Sequence, residues 1–210
     1  MGQNKLREIE ALGQAIWLDN ISRQLLQSGT LERLIRDDGI SGVTSNPTIF
    51  EKAIGGSDLY DEPLAGAVQE GLEARDIFFR LAIGDIRDGA DLLRPTWEQT
   101  GGLDGYISFE LPPELADDAQ GSIEAARRFR DEIDRPNVLI KVPATEAGVQ
   151  AFEELTAAGV SVNVTLLFAV PRYEAIAEAY VRGLERRAAR GEPIDRISSV
   201  ASFFVSRVDT

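Results

Sequence analysis

Histidine and cysteine are both absent from the 210 residues. Without cysteine there is no disulfide, no thiol nucleophile and no thiolate zinc site. Without histidine there is no Ser-His triad, no His-zinc centre and no imidazole base. Proton transfer by an enzyme built on this chain falls to Asp, Glu, Lys, Tyr or water. Long apolar runs are missing too, so no segment is expected to span a bilayer. The N-terminal "MGQNKLREIE" lacks the apolar core of a signal peptide, and the expected location is cytoplasmic. Positive charge is scarce: 22 Lys and Arg face 35 Asp and Glu, a formal net charge of −13. That balance argues against nucleic acid or an anionic membrane as partner. A small anionic ligand held by a local arginine remains allowed.

What is present suffices for a core, since 43% of the residues are hydrophobic. The pattern predicts strands at 15–20, 39–47, 105–111, 137–143, 160–168 and 197–205. Amphipathic helices are expected between them. One covers 122–133, with Ser122 as its cap and Ile123, Ala126, Phe129 and Ile133 as its stripe. Others cover 146–158, closed by Gly159, and 171–190, opened by Pro171 and ended by Gly191. Segment 57–100 is charged, mostly helical and long enough for two or more extra helices. The alternation of strand and helix implies a parallel sheet.

Strand faces choose between an open sheet and a barrel. Successive side chains alternate sides. In "AIWLDN", Asp19 opposes Ile16 and Leu18. In "GYISFEL", Tyr106, Ser108 and Glu110 share a side. In "NVLIKVP", Lys141 faces away from Val138, Ile140 and Val142. In "VSVNVTLLF", Ser161, Asn163 and Thr165 oppose Val160, Val162, Val164 and Leu166. Thr44 and Asn46 share a side of the second strand. An open doubly wound sheet is apolar on both faces. One apolar face and one that turns polar toward the strand ends fit a (β/α) barrel, whose active site lies at that end.

The polar set holds one lysine (Lys141), two carboxylates (Asp19, Glu110) and the groups Thr44, Asn46, Asn163, Thr165 and Ser202. A desolvated lysine can attack a carbonyl and form a Schiff base, and the protonated imine then acts as an electron sink. Burial disfavours the ammonium and neighbouring carboxylates favour it, and the sequence leaves that balance open. Plainer readings compete. Lys141 could be a strand-end lysine whose head reaches solvent. Asp19 and Glu110 could be its structural partners. Arg207 could be a surface arginine rather than a phosphate clamp.

"SGVTSNPTIF" (41–50), "NVLIKVPAT" (137–145), "VSVNVTLLF" (160–168) and "SVASFFVSRVDT" (199–210) together resemble transaldolase. Segment 60–110 resembles the bacterial branch that also occurs fused to glucose-6-phosphate isomerase. The resemblance implies an α/β fold, a (β/α)8 TIM barrel, and transfer of a dihydroxyacetone unit between sugar phosphates without a cofactor or metal. Donors would be sedoheptulose 7-phosphate or fructose 6-phosphate, and acceptors glyceraldehyde 3-phosphate or erythrose 4-phosphate, in the non-oxidative pentose phosphate pathway. It makes Lys141 the Schiff-base lysine and Asp19 the acid/base at the sugar hydroxyl. Glu110 and Thr165 would hold the relaying water. Asn46, Asn163, Ser202 and Thr44 would bind sugar hydroxyls or the carbinolamine, and Arg207 the terminal phosphate. Six predicted strands fall short of eight, and such barrels typically take about 250 residues. The reading is therefore of a single barrel domain, residues 1–210, cut short at its C-terminus, with 57–100 as a helical insertion. Rival readings are a fructose-6-phosphate aldolase of the same superfamily, a Mg²⁺-dependent barrel enzyme with Asp19 and Glu110 as ligands, and a non-catalytic sugar-phosphate-binding fragment. Glu110 stands where the aldolases carry a glutamine. Monomer and homodimer both stay open, as does fusion to an isomerase domain.

Overall fold

The computed structural model describes residues 4–208. They form two compact units, one from residues up to Ile107 together with Ile133–Asn137, the other from Ser108–Glu132 and from Val138 onward.

The first unit runs α1 (Lys5–Ala11), β1 (Ile16–Leu18), α2 (Arg23–Gln27), α3 (Thr30–Arg33), β2 (Ile40–Val43), α4 (Pro47–Gly55), α5 (Asp61–Gln69), α6 (Ala74–Gln99) and the start of β3 (Ile107–Glu110). β1 pairs parallel with β2, and Val43 of β2 aligns with Ile107. The core gathers Ile21, Leu31, Val43, Phe50, Ile86, Leu93 and Ile107, all nearly or fully buried. α6 comes close because residue 89 is glycine. A Cβ there would sit 2.7 Å from the Ile107 side chain and 3.0 Å from that of Ile21, inside van der Waals contact. The predicted helical character of 57–100 takes the form of α5, α6 and a 3₁₀ turn at Asp58–Tyr60.

The second unit continues β3 and adds α7 (Ala119–Ile133), β4 (Val138–Pro143), α8 (Glu146–Ala157), β5 (Val162–Leu167), α9 (Val170–Ala189), β6 (Ser199–Phe203) and α10 (Val205–Val208). β4 pairs parallel with β5, and β5 with β6. Phe109 meets Phe129 of α7 edge to face at 5.2 Å, and Phe152 of α8 stacks on Tyr180 of α9. Such aromatic pairs add about 0.5–1.5 kcal/mol beyond their buried area.

Strand order is β1-β2-β3-β4-β5-β6. An open doubly wound sheet reverses order at a switch point. Consecutive parallel strands with helical crossovers are the order of part of a (β/α) barrel, so the expected fold class holds.

Boundaries differ from expectation in instructive places. β2 ends at Val43, so Thr44 and Asn46 lie beyond the strand rather than on one of its faces. The reason is local: the Asn46 side chain caps α4 and Pro47 takes its first turn. α7 begins at Ala119, so Ser122 is inside the helix and not its cap. Asp118 does that work, its carboxylate accepting from the Gly121 N–H at 2.9 Å, while the Ser122 hydroxyl donates to the Leu115 carbonyl. Among the described residues no helix is long and apolar enough to cross a membrane.

Candidate active site

β4 delivers Lys141. Valine, leucine and isoleucine build this strand, and five of its six residues are buried, the lysine among them at 6% exposure. An ammonium so enclosed needs a partner. Glu110, the last residue of β3, provides one, its Oε2 lying 2.8 Å from Lys141 Nζ. The carboxylate is less buried than the amine, with 21% of its side chain exposed. Lys141 therefore does not send its head to solvent. The geometry makes Glu110 both its structural partner and a base within proton-transfer reach.

β5 sets the next group. Lys141 and Asn163 are aligned partners across β4 and β5, as are Pro143 and Thr165. The Asn163 side chain is buried and bonded on both ends. Its Nδ2 donates to Ser108 Oγ at 3.0 Å, and its Oδ1 accepts from Ser202 Oγ at 2.8 Å. In this orientation the second Nδ2 hydrogen is left to donate. Thr165 is buried, and its carbonyl accepts from the Ala144 N–H. Ser108 belongs to this group although sequence reasoning gave it no role. Its place on the same side as Glu110 in the alternation of β3 was the available signal.

The end of β5 is irregular. Leu166 has φ of +61°, a conformation costly for a branched L-residue. Val164 aligns with Ala201 but Leu167 with Phe203, so β5 holds one residue more than β6 over this stretch. This is a bulge directly after Thr165, a device that re-aims strand ends beside active sites. Arg207 stands apart from these bonds. It is exposed on α10, with its guanidinium over the Phe204 ring at 4.7 Å.

In the first unit the candidates follow strand ends. Asp19 is exposed immediately after β1. Thr44, half-buried, donates its backbone N–H to the Leu18 carbonyl at 2.8 Å, which ties the end of β2 to the end of β1. Asn46 Oδ1 accepts from the Ile49 N–H at 3.0 Å, so its amide NH₂ is the part left to face a ligand. Among the described residues no group of three or more His, Cys, Asp or Glu side chains is placed to hold a metal ion.

A nearly buried lysine on a parallel strand, paired to a carboxylate and aligned with a doubly bonded asparagine, has the groups that Schiff-base chemistry requires. The family model described as Transaldolase/Fructose-6-phosphate aldolase matches residues 16–210. The chain belongs to that family. Among curated members it is 50% identical over 210 residues to a "Transaldolase 2" of Nostoc punctiforme, covering 100% of this chain and 55% of the relative. It is 49% identical over 207 residues to a transaldolase of Thiobacillus denitrificans, covering 99% and 58%. A transaldolase of Neisseria gonorrhoeae is 46% identical over 205 residues, at 98% and 58% coverage. The chain thus spans little more than half the length of these family members.

Proposed function

We propose that the protein is a transaldolase that moves a dihydroxyacetone unit from a ketose phosphate to an aldose phosphate through a Schiff base on Lys141. The observation that carries this reading is Lys141 itself, nearly buried, with Glu110 at 2.8 Å. The similar proteins bear the transaldolase name, and Glu110 is a carboxylate where the aldolase rival has an amide.

The chemistry follows from the groups. Glu110 takes a proton from Nζ, and the free amine attacks the ketose C2 carbonyl. The carbinolamine loses water to leave an iminium, with Glu110 and Thr165 steering that water. The C3–C4 bond then breaks as a base removes the C4 hydroxyl proton, a step the resemblance gives to Asp19. The bonding electrons pass into the iminium, forming an enamine on Lys141, and the aldose phosphate leaves. The enamine adds to the acceptor aldehyde, and hydrolysis of the new iminium restores Lys141. The free Nδ2 hydrogen of Asn163 suits the carbinolamine oxygen, beside Ser202. Asn46 and Thr44 are read as partners of sugar hydroxyls and Arg207 as the phosphate ligand. Sedoheptulose 7-phosphate and fructose 6-phosphate are the donors, and glyceraldehyde 3-phosphate and erythrose 4-phosphate the acceptors, as in the pentose phosphate pathway. A cytoplasmic site of action belongs to the same reading.

The test is borohydride trapping of the full-length protein with fructose 6-phosphate, followed by peptide mass mapping. This chain has three lysines, Lys5, Lys52 and Lys141. The expected product is a three-carbon adduct on Lys141, lost together with turnover in Lys141→Ala. An adduct on Lys5 or Lys52 in its place would overturn the assignment.

A further inference from the structure

The first unit buries a polar cluster that the chemistry above does not use. Asp85 of α6 is 0% exposed. A carboxylate in that position must be hydrogen-bonded to stay buried. Three donors meet it. The Tyr60 hydroxyl donates to Oδ2 at 2.5 Å, and Arg23 reaches Oδ1 through Nε and Nη2, each at 3.1 Å. The Tyr60 hydroxyl also accepts from the backbone N–H of Arg23 at 2.8 Å. The guanidinium lies over the Tyr60 ring at 4.3 Å, and Nη1 donates to the Leu59 carbonyl at 3.2 Å. One residue, Arg23, is thus held by its main chain and its side chain together.

Arg23 is the first residue of α2, and the turn before it leads back to Asp19. That turn is fixed at its far end, where the Leu18 carbonyl accepts from Thr44. In its middle Ile21 is fully buried, and Ser22 caps α2 by accepting from the Leu25 N–H. Asp19 and Asn20 are both exposed, and among the described residues no side-chain hydrogen bond restrains Asp19. The turn also borders an open cavity of about 400 Å³ whose lining includes Asn20, Ser22, Gln24 and Lys52. Where Asp19 sits is therefore decided by its backbone, and the backbone by its anchors.

We propose that Arg23, Tyr60 and Asp85 form a clamp that positions the turn carrying Asp19, making all three positioning residues for proton transfer. The proposal rests on the transaldolase reading, in which Asp19 is the base at the substrate hydroxyl. An apolar core would fill the same space, whereas a satisfied polar network specifies one geometry. A displacement of about 1 Å at a reacting group can cost up to about 10²-fold in rate.

Tyr60→Phe in the full-length protein removes one oxygen and keeps the ring. Expected is a kcat lower by about fivefold or more with KM within about twofold, and a Lys141 borohydride adduct that still forms, since imine formation precedes the Asp19 step. In an Asp19→Asn background the same substitution should change kcat less than about twofold, because the group it positions is gone. Arg23→Lys, which keeps the charge and loses the fork, gives a smaller loss of the same kind and serves if Tyr60→Phe does not fold. Unchanged kcat in both variants, or losses that multiply with Asp19→Asn, would overturn the clamp and leave the transaldolase reading intact. A wild-type protein with no Lys141 adduct, or an Asp19→Asn protein with normal kcat, would remove the basis of the clamp altogether.

Discussion

The two units hold their candidate residues in opposite ways. In the second unit Lys141, Glu110, Ser108, Asn163 and Ser202 are bonded side chain to side chain on strands β3 to β6. In the first, Asp19, Thr44 and Asn46 follow strand ends, and the recorded bonds of Thr44 and Asn46 go to backbone. A strand sets a side chain's direction by its pleat, and a neighbouring strand supplies the partner. A turn sets nothing unless something anchors it. The candidate nucleophile's surroundings are thus part of the sheet, while the candidate proton acceptor, on the clamp proposal, depends on remote support. Mutations that remove a catalytic group should affect both units alike in rate and differently in stability.

The largest expected effect is on turnover. Glu110→Gln and Asp19→Asn should each lower kcat at least tenfold, within the roughly 10²–10⁴-fold that a placed acid or base is worth. Their stabilities should part. Glu110→Gln removes the charge facing a nearly buried ammonium and should lower the unfolding midpoint measurably. Asp19 is exposed, and Asp19→Asn should stay within about 0.5 kcal/mol of the parent. Chemical denaturation beside steady-state kinetics checks both halves. Equal destabilisation by the two would dissolve the contrast.

Next comes the pair of asparagines. Asn163→Ala removes the buried amide that bridges Ser108 and Ser202, at about 1–3 kcal/mol. Asn46→Ala removes a helix cap, worth about 1 kcal/mol. The difference should appear as a lower denaturant midpoint for Asn163→Ala at unchanged slope. The reverse order would mean that the β5 network is looser than its bonds indicate.

These contrasts follow what could be read in the chain. Period-two alternation put Lys141, Glu110, Asn163 and Thr165 on strands, and each lies within one, Thr165 just before the bulge. It failed at Thr44 and Asn46, where β-forming neighbours hid a stronger local signal: Asn followed by Pro is a cap and first helical residue. Ser108 was on the correct side, but its bond to Asn163 is a cross-strand fact that no single segment contains. "VTLLF" reads as uniform strand, and the bulge at Leu166 shows only in the register with β6. Asp85 lies in the charged segment 57–100, and nothing local marks it as buried, because its partners Tyr60 and Arg23 come from elsewhere in the sequence.

Arg207 tests the contrast from within the second unit, since it has exposure and an aromatic neighbour instead of a bonded frame. Read as the phosphate ligand, Arg207→Ala should raise KM for phosphorylated acceptors about tenfold, the scale of one charge-assisted hydrogen bond. KM for a non-phosphorylated aldehyde should hardly change. Equal losses for both would assign Arg207 to the fold and not to the phosphate.

The smallest effect compares two carboxylates of α6. Asp91 is about half exposed and forked by Arg135, with oxygens 2.6 and 2.9 Å from Nε and Nη2. Those hydrogen bonds hold its carboxyl below the ordinary aspartate value of 3.8. Burial pushes the Asp85 carboxyl above that value, against the pull of Tyr60 and Arg23. The signs of linkage are therefore opposite. Asp91 contributes stability above pH 3.8, and the contribution disappears as pH falls through its depressed folded value. Asp85 gives the folded state the tighter hold on a proton, so its contribution grows as pH falls from above its raised value toward 3.8. Solvent screening limits the Asp91 pair to under about 1 kcal/mol. Unfolding free energies of the parent, Asp91→Asn and Asp85→Asn between about pH 3 and pH 7 should show this. The parent's advantage over Asp91→Asn should shrink as pH falls, while its difference from Asp85→Asn should move the other way. Parallel profiles would mean that Asp85 is as well solvated as Asp91, and the buried clamp beneath the Asp19 turn would lose its closed character.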